Sequence, residues 1–140
     1  MGRRPRLNKL LYSEWLYKLL LSHKKSLGSL NYTYCTDDEL LDINRTYLSH
    51  DYYTDIITFD LSEEKGLIEG DIYISIDRVK DNAKLNSVLF ETELKRVMAH
   101  GLLHLIGFKD KSKKEISAMR EAENQALLLW EKSMFHVKPH

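Results

Sequence analysis

The sequence FETELKRVMAHGLLHLIGFKD, residues 90–110, contains the strongest helical pattern of the chain. Its apolar residues recur every three or four positions, which predicts an amphipathic helix over residues 90–106. These residues are Leu94, Val97, Met98, Leu102, Leu105 and Ile106. Gly107 follows directly and is expected to end the helix, because glycine readily adopts the backbone conformation found at helix C-termini.

Two histidines, His100 and His104, lie four residues apart in this helix. That spacing places both imidazoles on one helical face, close enough to bind one metal ion. Asp110 comes after the turn at Gly107 and offers a carboxylate as a third ligand. Two histidines and one carboxylate, with a fourth position left to water, are typical of a catalytic zinc site. The alternative is a pair of ordinary hydrogen-bonded histidines, but an unpaired imidazole is costly to bury in so apolar a stretch.

The residue after the first histidine bears on whether the metal site could be that of a peptidase. In peptidases with the pattern His-Glu-x-x-His, the glutamate that follows the first ligand is the general base. This chain has Gly101 at that position. A metallopeptidase-like hydrolase is therefore a less favoured alternative.

Outward from this helix, periodicity and capping signals predict seven further elements. Helices are expected over residues 8–26, 36–47, 77–86 and 113–132, and strands over residues 29–35, 55–61 and 70–76. Gly28 is expected to stop the first helix, with Lys24 and Lys25 in its last turn. This order predicts an α+β (mixed α/β) fold, in which helices cover a small sheet within a single domain of residues 1–140.

Composition excludes several classes of protein. The chain has 140 residues, of which 43% are hydrophobic, and its 21 basic residues balance its 21 acidic residues. Zero net charge argues against a basic field over the whole surface, of the kind that binds duplex DNA non-specifically. The single cysteine, Cys35, excludes an intrachain disulfide. No apolar run approaches a membrane span and no secretory signal is recognised, so we expect a cytoplasmic protein without membrane contacts.

Three blocks of the sequence resemble the YbeY family of bacterial endoribonucleases and ribosomal RNA maturation factors. These blocks are NRTYLSHDYYTDIITFDL (44–61), EGDIYIS (69–75) and ELKRVMAHGLLHLIGFKD (93–110). The resemblance covers about residues 37–130 in register. It implies a metal-dependent endoribonuclease that is specific for single-stranded RNA and acts in maturation of the 16S rRNA 3′ end. The implied cofactor is one Zn²⁺ per chain, and the implied partner is the small ribosomal subunit.

Two positions depart from the family pattern. The third metal ligand, a histidine in the family, falls on Asp110. Carboxylates are ordinary zinc ligands, so we expect the site to survive and to accept Mn²⁺, Ni²⁺ or Fe²⁺ more readily. Where the family usually has an arginine important for activity, this chain has Leu48, which cannot contact phosphate. This second departure keeps open a non-catalytic, ribosome-associated factor with a structural metal.

A local basic patch surrounds Asp110, although the net charge of the chain is zero. Its members are Lys109, Lys111, Lys113 and Lys114. We expect this patch to bind an RNA backbone near the metal, since lysines lining a groove attract phosphates. The alternative is a set of ordinary solvated lysines.

Other candidate site residues come from the block that precedes the second strand and from the main helix. His50 and Asp51 are the best candidates for the general base. Arg45, Arg96 or His50 is the candidate to replace the arginine missing at Leu48. The sequence therefore predicts a metal site in one segment and substrate contacts drawn from several.

Overall fold

Five helices and a three-stranded sheet make up residues 9–136, the part of the chain that the computed structural model describes. They are α1 (Lys9–Ser22), β1 (Ser26–Cys35), α2 (Asp37–Leu48), β2 (Ile56–Asp60), β3 (Leu67–Ser75), α3 (Ile76–Leu85), α4 (Phe90–Ile106) and α5 (Lys113–His136). Their order confirms the predicted α+β fold. Among these helices, none is both long and apolar enough to cross a bilayer.

Strand β3 lies at the centre of the sheet, between β1 and β2. It pairs in parallel with β1 and antiparallel with β2. Its side chains alternate between the two faces, as those of a strand must. Ile72 and Ile74 are fully buried in the main core, whereas Tyr73 packs in a second cluster with Cys35, at the end of β1, and Leu40 of α2. Both faces of the sheet are therefore covered by helices.

Helix α4 packs directly on the sheet at the level of the predicted metal ligands. A Cβ atom on Gly101 would lie 2.8 Å from Ile56 Cδ1 and 3.1 Å from Ile72 Cγ2, so only glycine allows this close approach. The Tyr32 hydroxyl donates to the Met98 carbonyl at 2.9 Å. A glutamate at position 101 would point into the core, and the fold thus offers no place there for the base of a His-Glu-x-x-His peptidase.

Helix α5 runs alongside α4 and α1. The Trp15 indole donates to the Ala126 carbonyl at 2.8 Å, and the Trp15 and Trp130 rings meet edge to face at 5.7 Å. Met119 is buried against Leu103 of α4. The two tryptophans thus pack α1 against α5, and these contacts fix which residues of α5 face the metal ligands.

The predicted end of the first helix is wrong. Helix α1 ends at Ser22, because Lys24 adopts a left-handed backbone with φ of 59°. The N–H groups of Lys24 and Lys25 then close the last turn, at 2.9 and 3.0 Å from its carbonyls. Gly28 does not stop the helix but lies inside β1, at an irregularity in its pairing with β3.

Candidate metal centre

The last turns of α4 carry His100 and His104, and the turn after the helix brings Asp110 back toward them. Gly107 has φ of 128°, a backbone conformation that residues with a side chain rarely adopt. The Phe108 N–H then donates to a carbonyl of the last helical turn at 2.9 Å, which reverses the chain. Glycine at position 107 is therefore what allows helix-borne and turn-borne ligands to meet.

The far end of the turn is fixed by a reciprocal cap at the start of α5. The Ser112 hydroxyl accepts from the Glu115 N–H at 3.1 Å, and the Glu115 carboxylate accepts from the Ser112 N–H at 3.0 Å. These bonds, first among them that from the Ser112 backbone, lower the pKa of Glu115. This is a capping box, and it holds the chain on the C-terminal side of Asp110.

Three ligand atoms converge in a nearly regular triangle. Nε2 of His100 lies 3.1 Å from Nε2 of His104, and each lies 3.3 Å from Oδ2 of Asp110. A tetrahedral ion bonded at about 2.0–2.1 Å separates its ligands by about 3.3 Å. The three residues thus have the spacing of three corners of a tetrahedral site and could hold a metal ion.

The other ring nitrogen of each histidine is engaged in a way that fixes its tautomer. Nδ1 of His104 lies 3.0 Å from the Phe108 carbonyl, which can only accept, so this nitrogen carries the proton. Nδ1 of His100 lies 2.7 Å from a carboxylate oxygen of Glu123. Such outer hydrogen bonds accompany nearly all metal-binding histidines, and they direct both Nε2 lone pairs toward Asp110.

The charge balance of the cluster favours a cation at its centre. Burial alone would raise the pKa of Glu123, but its hydrogen bonds with His100 and Arg96 prevail and lower it. Burial alone would lower the pKa of His100, but the bond to Glu123 and the nearby carboxylates prevail and raise it. When both histidines are neutral, with their protons on Nδ1, two Nε2 lone pairs and an Asp110 oxygen face one another, so the residues present fit a bound metal ion.

Glu123 on α5 is a member of the site that the sequence reasoning missed. It is buried, and Arg96 Nη1 donates to it at 3.0 Å. The second guanidinium nitrogen of Arg96 donates to Asn124 at 3.0 Å. Arg96, predicted to contact RNA, is thus directed toward the carboxylate that supports His100. The sequence feature that could have identified Glu123 is its position as a charged residue between Met119 and Ala126, on the buried stripe of α5.

A polar cavity of about 350 Å³ opens beside His100. Its lining includes Asp55 before β2, Asn82 and Asn86 at the end of α3, Glu93 on α4, and Arg120 on α5. Glu93 is a buried carboxyl group whose pKa is raised by burial, against the opposing effects of Arg96 and a hydrogen bond with Asn86. The candidate metal centre therefore adjoins a pocket with both hydrogen-bond donors and acceptors.

The predicted base candidates lie in the loop between α2 and β2. His50 is exposed, and its Nδ1 lies 2.8 Å from the Tyr52 hydroxyl, on whose ring it stacks. Asp51 forms an ion pair with Arg45. Of this segment, it is Asp55, a residue the sequence reasoning passed over, that lines the polar cavity with His100.

The four lysines around Asp110 lie where the sequence suggested. All are exposed, on the turn and on the first turn of α5. They are Lys109, Lys111, Lys113 and Lys114. The turn thus places a basic rim beside the candidate metal centre, and its contact with RNA stays a prediction.

Comparison with known proteins gives consistent matches over most of the chain. A family model described as Endoribonuclease YbeY matches residues 6–131. A Cytophaga hutchinsonii protein named Endoribonuclease YbeY is 58% identical over 115 residues, or 82% of this chain and 80% of that protein. A Flavobacterium psychrophilum protein of the same name is 50% identical over 129 residues, or 91% and 86%. The solution structure of a Thermotoga maritima protein has a TM-score of 0.64 and 28% identity, covering 93% of this chain and 89% of that one.

Proposed function

The chain belongs to the YbeY endoribonuclease family, and from this premise we propose that it is a metal-dependent hydrolase that cleaves single-stranded RNA. The observation that carries the proposal is the triangle of His100, His104 and Asp110, with ligand separations of 3.1 to 3.3 Å. The curated relatives are named endoribonucleases, which supports RNA as the substrate.

We propose one Zn²⁺ per chain as the cofactor, held by His100, His104 and Asp110. When bound, such an ion lowers the pKa of a water molecule in its open position and polarises a phosphoryl oxygen. Glu123 holds the His100 ring in the tautomer that presents Nε2, and the Phe108 carbonyl does the same for His104. The carboxylate of Asp110 adds negative charge that favours acceptance of Mn²⁺, Ni²⁺ or Fe²⁺ as well.

The chain's own residues would bind and orient the RNA. The lysine rim beside Asp110 would offset phosphate charge. Asp55 is our proposed proton acceptor, because it lines the cavity that His100 also lines. His50 and Asp51 are further candidates for that role, although their described partners are Tyr52 and Arg45.

Family membership also suggests the biological setting. We propose that the enzyme acts in the cytoplasm, on the 3′ end of 16S rRNA and in contact with the small ribosomal subunit. Leu48 supports a second candidate, a ribosome-associated factor that binds metal without cleaving RNA, because an aliphatic side chain cannot replace the family's arginine. The two candidates differ in whether the metal-loaded protein breaks phosphodiester bonds.

A cleavage assay separates these candidates. Purified protein is stripped with a chelator, reloaded with Zn²⁺ or Mn²⁺, and incubated with single-stranded and duplex fragments of the 16S rRNA 3′ end. We expect cleavage of the single-stranded fragment that chelation abolishes and metal restores, and none with His104→Ala. Glu121→Gln, an exposed position on α5, is the matched control and should cleave normally.

Other results would favour the alternatives. Metal-dependent binding to small subunits without any RNA cleavage would support the non-catalytic factor. Cleavage of casein in place of RNA would support the metallopeptidase-like hydrolase. Circular dichroism of His104→Ala ensures that lost activity does not reflect lost folding.

A further inference from the structure

We propose that the polar cavity beside His100 is a nucleobase subsite selective for guanine, with Glu93 as the specificity-determining residue. The inference rests on the proposed function, because it names what the site would recognise next to the reacting phosphate. Four features carry it: the position of the cavity, the burial of Glu93, the donors around it, and the charge at its mouth.

The position of the cavity suits a nucleotide attached to the reacting phosphate. Glu93 and His100 are seven residues apart on α4 and line the same cavity. Seven residues of helix span about 10 Å along the axis, which is comparable to the length of one nucleotide. A base whose edge reaches Glu93 would therefore leave its phosphate near the metal ligands.

The chemistry at Glu93 distinguishes among the four bases. An ionised carboxylate only accepts hydrogen bonds, and its two oxygens can accept a parallel pair. Guanine is the base whose Watson–Crick edge presents two adjacent N–H donors. Adenine, cytosine and uracil each have an acceptor directly beside their donor group on that edge, so none of them can donate a parallel pair to a carboxylate. Glu93 is 7% exposed, so water cannot readily replace a missing donor.

The surroundings of Glu93 support this use of its carboxylate. Burial raises the pKa of Glu93, but the positive charge of Arg96 and a hydrogen bond from Asn86 oppose this shift and favour the ionised form. The Asn82 amide is a further group lining the cavity that can contact the carbonyl of a base. At about 350 Å³ the cavity lies near the lower end of the roughly 300–1,000 Å³ typical of small-ligand pockets. One nucleoside is therefore a suitable occupant.

The mouth of the cavity carries a cation that can engage the strand. The side chain of Arg120 is 64% exposed and lies 3.7 Å from Glu123, so its guanidinium is only loosely paired.

Glu93 itself has a simpler explanation, as an acidic residue in the first turn of α4, where it complements the helix dipole. If Glu93 recognises a base, Glu93→Gln changes the base preference. If Glu93 only complements the helix dipole, Glu93→Gln changes only the stability of the protein.

The test uses the metal-loaded protein and the 5′-monophosphates of guanosine, adenosine, cytidine and uridine, with binding followed by calorimetry or NMR titration. We expect guanosine monophosphate to bind about tenfold or more tightly than the others, as a good bidentate contact to a base provides. Glu93→Gln should reduce that ratio about tenfold while metal content stays at the wild-type value. Glu91→Gln, an exposed glutamate on the same helix, is the matched control and should keep the preference.

Each outcome bears on the subsite separately from the enzyme. Equal binding of the four nucleotides by the wild type, or an unchanged ratio in Glu93→Gln, would overturn the subsite even if RNA is cleaved. Guanosine preference without RNA cleavage would support the subsite and contradict the proposed function. If Glu93→Gln does not fold, Asn82→Ala decides: weaker guanosine monophosphate binding supports the subsite, and unchanged binding refutes it.

Discussion

The two halves of the candidate metal centre are held in different ways. His100 and His104 lie on α4 with side chains 23% and 28% exposed, and each has a second hydrogen bond that fixes its ring. Asp110 lies on the turn with its side chain 41% exposed, and its described contacts are with the two histidines. The helix half of the centre, His100 and His104, is thus preorganised by packing. The turn half, Asp110, depends on the caps at Gly107 and Ser112. We expect substitutions to be tolerated less in the first half than in the second.

The sharpest test of the helix half is removal of its imidazoles. His100→Ala combined with His104→Ala should reduce metal content from one ion per chain to none, because a single carboxylate cannot retain the ion during desalting. Elemental analysis after metal loading measures this. His50→Ala is the matched control, since His50 is an exposed histidine that stacks on Tyr52. Equal metal content in the wild type, the double variant and the His50→Ala control would show that the site lies elsewhere.

The turn half should accept a change of ligand but not its loss. Asp110→Ala should weaken metal binding by more than about 100-fold, beyond the 10–100-fold typical of losing a group that merely supports a ligand. Asp110→His should bind within about tenfold of the wild type, because imidazole nitrogen is also a ligand for zinc. Competition with a chromophoric chelator gives both affinities. Equal loss in the two variants would mean that another residue is the third ligand.

A smaller effect tests whether the second hydrogen bond on His100 accounts for the preorganised half. Glu123→Gln keeps the shape of the side chain but removes the negative charge of the carboxylate that accepts hydrogen bonds from His100 and Arg96. Metal affinity should fall about 10–100-fold, as it does when such outer partners are lost. Glu121→Gln, an exposed position that bonds Gln125, should leave affinity unchanged. An unaffected Glu123→Gln protein would mean that helix packing alone orients the ring.

The contrast between the halves also explains what could be predicted from sequence. The histidine pair was predictable because a spacing of four residues in a helix is a local property, and Gly107 marks where the chain turns. Glu123 was missed because its role depends on which face of α5 meets α4. Asp55 was missed for a similar reason, since sequence places it in the same loop as His50 but does not say which side chain turns inward. The end of α1 was wrong because a lysine, not a glycine, takes the left-handed position.

The smallest expected effect concerns the exposed surroundings of the turn half. The test protein replaces three lysines with glutamine, at Lys111, Lys113 and Lys114. If each contacts a phosphate, the log–log salt dependence of single-stranded RNA binding should flatten by about 0.7 per contact, or about 2 in all.

Metal content should stay at the wild-type value, because none of these lysines contributes an atom to the ligand triangle. The matched control replaces three other exposed lysines, Lys9, Lys18 and Lys132, which lie on α1 and α5. This control has the same change in net charge, so a general electrostatic effect would flatten its slope equally. A slope that flattens only in the first protein places the RNA backbone beside Asp110. A slope unchanged in both would exclude the lysine rim and direct the search to Arg45, Arg120 and the polar cavity.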